Sequence, residues 1–568
     1  MMHTDCLIIG FNDFDFEKTV DMIRGNDPTS GGYRDINLAF LNMQGHPHHA
    51  MDILNHVNGW EPRTYHNSDF VWPVVLCLGS YLAKNGFTFD YINLFQQEKD
   101  ALRDKLEKGG IRTVAITTTL YVVPQPIIEI VQFIRAHNTD VEIVIGGPFI
   151  SSQAAMLDTD GLSELFSYLG GDYYVISSEG EKALCDLLDA LKTQKDLADI
   201  DNIAYRQKDT FVHNTISVER NSLEENPVDY SLFAKEKFGQ FLSLRTAKSC
   251  PFSCAFCGFP DRAGKYTYLD LAHVERTLDS IKDLGTVNTL TFLDDTFNVP
   301  KKRFRDIMQL MIDKGYGFKW NSFYRSDHGD EATIDLMQRA GCEGVFLGVE
   351  SGSDTILEKM NKKSRRKDYL SAIKMFRERD ILTHCNLIIG FPGETPDTVA
   401  ESMSFLEESK SDFYRAQLWF CDPITPVWKQ KEELGIENFA FNWSHNTMNC
   451  QQATAFVEQM FLEVQNSIWL PQQGFEMWSL FYLQRNGFSR EQIKGFLRAF
   501  NDGIREKLLI PHQQEPSEQI LKNLSYWGRR DGFDHLRGMN NHPPLYDPRT
   551  PQTDTALHND DQLEAFAF

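Results

Sequence analysis

The sequence predicts an α/β protein: a doubly wound, Rossmann-like domain, then a partial (β/α)6 barrel, then a helical C-terminal region. Three observations carry this prediction. Short β-rich runs alternate with helical stretches in two separate series, one before residue 200 and one after residue 240. Strict alternation of this kind builds parallel sheets with right-handed crossovers. A polar stretch ending in Asn226-Pro227 separates the two series. After Trp428 the strand signal fades and aromatic-rich helical patterning replaces it.

In the first series the expected strands are 5–10, 87–95, 114–120, 141–147 and 173–178, with helices such as 126–136 and 181–191 between them. Such a domain binds ligands at the carboxyl ends of its strands. Residues 28–69, rich in Gly, His, Asn and Trp, break the rhythm and read as an insertion over that ligand edge. Residues 201–235 read as a linker with a small hairpin at 203–214. In the second series the strands are 241–250, 289–297, 318–325, 344–351, 384–391 and 413–420, with helices such as 301–314 and 331–340. Chemistry in a β/α barrel sits at the C-terminal strand ends. The expected division is therefore 1–200, 201–235, 236–425, a helical 426–510 and an irregular tail, 511–568, rich in Pro, Asn, Asp and His.

Hydrophobic residues make up 42% and charged residues 24% of the chain, an ordinary globular mixture. No apolar run approaches the ~18 residues of a membrane span. The opening MMHTDCLIIGF lacks the basic region of a signal peptide, so a cytoplasmic chain is expected. The net charge of -23 argues against a nucleic-acid binder and against docking on anionic lipid. Ten cysteines in 568 residues are too sparse for a disulfide scaffold, but three of them fall within eight residues.

Those three are Cys250, Cys254 and Cys257, in the run Cys-Pro-Phe-Ser-Cys-Ala-Phe-Cys just after the first barrel strand. Three thiolates on one loop can hold three irons of a cubane cluster and leave the fourth iron open. Zinc is the competing reading, but it wants a fourth ligand, and no CxxC or HxxxH partner lies nearby.

CxxxCxxC after the first strand of such a barrel resembles the radical S-adenosylmethionine (SAM) superfamily. The resemblance continues at successive strand ends: Gly258-Phe259-Pro260, Asp294-Asp295-Thr296-Phe297, Phe323-Tyr324-Arg325, Gly348-Val349-Glu350-Ser351-Gly352, and Ile388 through Thr395. It covers about 241–420. It implies a 4Fe-4S cluster on the three cysteines, whose open iron chelates SAM, and an electron donor such as flavodoxin or ferredoxin. Cleavage of SAM then yields methionine and a 5′-deoxyadenosyl radical. It further implies SAM contacts from Phe259, Asp294, Arg325, Glu350 and Ser351, and an adenine site at Gly390. Taken singly, Glu350 also fits a helix cap, the Asp294-Asp295 pair a solvated loop, and Gly390 a turn glycine with positive φ.

A doubly wound domain before such a barrel is similar to the cobalamin-binding branch. That likeness places a corrin near Gly10, Thr118, Gly147 and Glu179. No Asp-x-His-x-x-Gly motif is present in this domain, so no histidine is expected on cobalt. The alternative is a Rossmann-like domain without a corrin. Trp72-Pro73, 413–423 and 478–483 resemble a narrower group, the phosphinothricin-type P-methyltransferases and proteusin-type peptide epimerases.

Two activities follow from these resemblances. The first is a cobalamin-dependent methyltransferase acting on an unactivated carbon or phosphorus centre of a small molecule or peptide in natural-product biosynthesis. The second is a peptide epimerase, which needs a thiol to return hydrogen. A corrin-binding sensor is a third, non-enzymatic reading, and it leaves the cysteine triad unexplained. For the epimerase thiol the candidates are Cys421, just after the sixth strand, and Cys385. Cys385 lies about five residues below Gly390, or ~16 Å at ~3.3 Å per residue. The competing role for both is that of a small buried hydrophobe.

Overall fold

The computed structural model describes residues 3–530, apart from 27–29, 60–63, 178, 209, 220, 472 and 511. The first sheet runs in the order Phe89–Leu94, Thr4–Phe11, Ile111–Thr117, Glu142–Gly146 and Tyr173–Val175, all parallel. Its strands are buried on both faces: in Thr4–Phe11, Cys6 and Ile8 join one apolar core while Leu7 and Ile9 join another. That is the alternation of a strand covered by helices on either side. The hairpin Ile203–Gln207 and Thr210–His213 adds two antiparallel strands to this sheet. The stretch read as a linker thus begins as part of the first domain.

The second sheet is the partial barrel. Phe241–Leu244, Thr289–Phe292, Lys319–Tyr324, Cys342–Glu350, Leu382–Ile389 and Phe413–Leu418 lie side by side in chain order, all parallel. A short seventh strand, Ile468–Trp469, pairs with Phe413 and Tyr414 alone, so the upper half of the sixth strand has no strand beyond it. The floor of the barrel is closed by helix Ser479–Arg485. Arg485 donates to Thr289 Oγ1 at 2.6 Å and pairs with Glu343, both at strand starts, and Phe481 packs on Gly344.

Two expectations are corrected. The insertion does more than cover the ligand edge of the first sheet: it reaches across to the side of the barrel. Gly31 sits where a side chain would press on Thr454, Cys450 and Leu418, while Phe70, just past the insertion, lies 5.5 Å from Phe241 of the first barrel strand with the rings tilted at 48°. The tail is also not irregular throughout. Ser517 caps a helix, Glu518–Gly528, that buries Ile520, Leu524 and Tyr526. The composition of the tail hid this helix, whose cap and apolar spacing are ordinary. The remainder of the tail, 531–568, lies outside the described residues. Among the described residues, no helix is long and apolar enough to cross a membrane.

Candidate functional site

The loop bearing Cys250, Cys254 and Cys257 leaves the first barrel strand at the C-terminal face and is tied down on several sides. At its root, Asp294 Oδ1 accepts from the amides of Thr246 (2.6 Å) and Ala247 (2.8 Å), and Oδ2 accepts from the Thr246 hydroxyl. Arg303 donates to the Thr246 carbonyl at 3.0 Å and its hydroxyl at 2.8 Å. At its tip, Ala255 N–H donates to Met360 O at 2.9 Å and Asn361 Nδ2 to Ser253 O at 2.7 Å. The Arg325 guanidinium lies 3.6 Å over the Phe252 ring and is held there by two bonds to Asp327.

The three thiols on this braced loop are half-buried and act on one another electrostatically. Burial pushes Cys257 up to about 11 and raises Cys250 as well, with the neighbouring thiols adding to both shifts. The amide of Phe252 points at Cys250 and that of Phe259 at Cys257, which pulls the other way. Amides aimed at sulfur favour the thiolate, the form that ligates iron. The donor set therefore fits a cluster: three thiols, two of them carrying backbone hydrogen bonds.

Beside the triad, Glu350 adopts φ +67 at a bulge in the fourth strand and pairs with Lys362 at 2.9 Å, both side chains nearly buried. A Cβ at Gly348 would fall 2.4 Å from Glu350 Oε1, so a side chain there would displace this carboxylate. Glu350 acts electrostatically on Cys257, so its carboxylate lies next to the cluster loop. Lys362 was not singled out from sequence, because a lysine twelve residues away carries no local signal of this pairing.

Several of the residues expected at cofactors also make bonds within the protein. Asp294 is spent on the loop root and Arg325 on Asp327 and Phe252, as above. Ser351 is fully buried; its hydroxyl receives the Ser353 amide at 3.1 Å and faces Ser402. Gly390 has φ +96, and a Cβ there would fall 2.4 Å from Trp443. Its N–H donates to Glu394 Oε2 at 2.5 Å, and its carbonyl lies 2.9 Å from His445 Nε2. In the first sheet, Gly10 lies against Val75 and the Asn93 carbonyl, each 2.7 Å from where a Cβ would stand. Thr118 is fully buried and clamps the next loop, donating to Gly146 O at 3.0 Å and accepting from Phe149 N at 3.2 Å. Gly147, at φ +113, lies against that threonine. Glu179 pairs with Lys248 of the cluster loop and accepts from the Asn221 amide at 2.9 Å.

That last pair brings the carboxyl edge of the first sheet to the carboxyl face of the barrel. A second contact agrees: Arg262, five residues past Cys257, pairs with Asp422 at 3.0 Å and reaches Ser152 of the first domain at 3.4 Å. On the edge itself, Leu120, Val122 and Val123 form an exposed apolar loop, each at least 45% open.

Residues 244–406 match the Radical SAM superfamily. The chain carries a radical SAM domain. An uncharacterized methyltransferase of Pyrococcus horikoshii is 26% identical over 324 residues, covering 55% of this chain and 67% of the relative. An anaerobic magnesium-protoporphyrin IX monomethyl ester cyclase of Rubrivivax gelatinosus is 23% identical over 399 residues, covering 65% of this chain and 68% of the relative. Among solved structures, the fold is similar to the methyltransferase TsrM of Kitasatospora setae, a radical SAM protein with cobalamin and a 4Fe-4S cluster bound. The TM-score is 0.53 at 19% identity, covering 78% of this chain and 77% of that one. It is similar also to the cobalamin-dependent radical SAM protein OxsB, with a TM-score of 0.53 at 15% identity, covering 95% of this chain and 80% of that one.

Neither candidate hydrogen-donor thiol is open. Cys421 is 1% exposed and faces the Asn438 carbonyl at 3.8 Å, covered by a bridge to Ala440. Cys385 is fully buried low on the fifth strand, against Ser411 and Asp412. Burial pushes both thiols up to about 12.

Proposed function

We propose that this protein is a radical SAM methyltransferase that uses cobalamin, acting on an unactivated carbon or phosphorus centre of a small molecule. One observation carries the reading: the thiols of Cys250, Cys254 and Cys257 are clustered on a loop braced against the facing edge of a Rossmann-like domain through Lys248 and Glu179. Cys250, Cys254 and Cys257 would hold the 4Fe-4S cluster, and Glu350, fixed by Lys362, would meet the SAM amino group. The apolar loop Leu120–Val123 would lie against the corrin. The loops that follow the five parallel strands contain no histidine, and the histidine that reaches them, His66 of the insertion, is paired with Asp13 at 2.8 Å. When bound, the cluster with SAM supplies a 5′-deoxyadenosyl radical, and the corrin supplies a methyl group. A one-electron donor of the flavodoxin or ferredoxin type would serve the cluster. Epimerisation is the weaker reading, because Cys421 and Cys385, the thiols proposed as hydrogen donors, are both buried.

The test is anaerobic reconstitution with iron, sulfide and hydroxocobalamin. Expected are a four-iron cluster, stoichiometric cobalt with a base-off Co(II) spectrum, and 5′-deoxyadenosine from SAM. Replacing all three cysteines with alanine should remove iron and SAM cleavage from a protein that stays soluble. Iron and 5′-deoxyadenosine persisting in that variant would refute the cluster assignment. A cobalt-free product would move the assignment to epimerisation.

A further inference from the structure

The barrel interior holds a polar group that neither the cluster loop nor the strand-end motifs employ. Along the fifth strand, Cys385, Leu387 and Ile389 are fully buried, so the alternate residues His384, Asn386 and Ile388 turn to the other face, the interior. On the sixth strand, the Tyr414 hydroxyl bonds Met460 of the helix outside the barrel, so Arg415 and Gln417 turn inward. Asn386 and Arg415 stand opposite each other in register. Asn386, Ile388 and Gln417 are partly open although they lie in the middle of the fold, so they line a space.

Arg415 is only 6% exposed. Its Nε donates to Leu470 O at 3.3 Å and its Nη2 to Pro471 O. Its Nη1 makes no hydrogen bond among the described residues; Glu476 Oε2 lies 3.8 Å away, an ion pair too long for one. His384 is 2% exposed and neither ring nitrogen has a partner. Burial, with Arg415 beside it, pushes this imidazole down to about 3, so it is neutral and offers one donor and one acceptor. Two strongly polar side chains are thus oriented and desolvated next to each other with capacity unspent, an arrangement that loses stability unless something completes it.

We propose that Arg415 and His384 form a subsite for an oxyanion carried by the substrate, a carboxylate or a phosphorus oxyanion. The proposal rests on the radical SAM reading and adds the substrate class to it. A guanidinium held by two backbone carbonyls keeps its remaining N–H groups in a fixed fork, which matches two oxygens of one acid. Two buried carboxyls, Glu476 and Asp35, act on this guanidinium and balance its charge, and Glu476 lies beyond hydrogen-bond distance of Nη1. The strand-end position of the cluster loop then sets the reach: the acid sits inside the barrel and the reacting centre points up toward Cys250, Cys254 and Cys257.

The test uses the reconstituted holoprotein and three probes in saturation-transfer NMR: propionate, methylphosphonate and the neutral propionamide. One or both acids should bind and propionamide should not; the preference between the acids identifies the oxyanion. Arg415→Met should weaken acid binding at least tenfold. Arg415→Lys, a point charge without the fork, and His384→Phe should each weaken it several-fold. Propionamide binding as well as the acids, no acid binding to the wild type, or wild-type acid affinity in both Arg415→Lys and His384→Phe overturns the proposal. Those last two variants decide the matter if Arg415→Met does not fold. Iron content and 5′-deoxyadenosine yield of the same wild-type preparation report separately on the radical SAM reading.

Discussion

Lys248 and Glu179 form an ion pair between the two halves of the molecule, each side chain about 15% exposed. Lys248 lies two residues before the first cluster-loop cysteine, and Glu179 lies on the carboxyl edge of the first sheet. The pair therefore fixes the spacing between the loop that would carry iron and the edge that would carry the corrin. Burial lowers the Lys248 amine below the ordinary lysine range.

Breaking one partner of a pair this enclosed strands the other charge, a loss of about 3–5 kcal/mol. Lys248→Met and Glu179→Gln should each destabilise the protein by that order in urea unfolding. The double variant should cost little more than either single one, because it strands nothing. Strictly additive losses would show that the two residues do not act on each other.

Glu394 gives a pH dependence. Its carboxyl is fully buried, one oxygen accepts from Gly390 N–H, and the other has no partner, so burial raises it to about 8. A carboxyl raised in the folded state binds a proton there that the unfolded chain has already lost. Stability from this group is therefore complete below about 4.5 and falls as pH rises toward 8, by up to about 5 kcal/mol. Glu394→Gln should flatten that part of the stability curve, matching the wild type near pH 5 and exceeding it at pH 8.5. Parallel curves for the two proteins would mean that Glu394 is ionised throughout.

The strands of both sheets were legible because each is a short apolar run bounded by turn residues. The cysteine triad was legible because its ligands are local: eight residues of sequence contain the whole donor set. The rest of the site was not local. Asp294 looked like a ligand because it ends a strand, but its oxygens go to Thr246 and Ala247, 48 and 47 residues away. Ser351 and Thr118 looked like free hydroxyls because sequence does not show that Ser402 and Phe149 consume them. Arg415 and His384 sat unremarked inside strands, since a polar residue at an inward position is visible only once the barrel gives the strand an inside.

The barrel floor gives a packing test. Gly344 faces Phe481, and an added Cβ would stand 2.3 Å from the ring edge. Gly344→Ala should force helix Ser479–Arg485 outward and cost about 1–3 kcal/mol, read as a lowered Tm. Adding Phe481→Leu should recover part of the loss, since the shorter side chain vacates that position. An unchanged Tm in the single variant would place the helix elsewhere.

The last prediction separates the two chemistries. An epimerase must deliver a hydrogen atom from a thiol to a carbon radical, which requires the sulfur to reach the substrate. Cys421 is covered by the bridge to Ala440, and Cys385 lies near Ser411 at the start of the sixth strand, far below the mouth. Neither can make that contact without local unfolding, and each packs as a small apolar side chain. Cys421→Ala and Cys385→Ala should therefore retain methyl transfer and 5′-deoxyadenosine formation, with stability losses of about 1 kcal/mol from the lost sulfur. The assay is run in deuterated water so that both products are scored at once. Solvent deuterium entering the product of the wild type and vanishing in one variant, with 5′-deoxyadenosine still formed, would make that cysteine a donor and the protein an epimerase. Methyl transfer lost in either variant while SAM cleavage continues would count against a methyltransferase whose buried thiols serve only the fold.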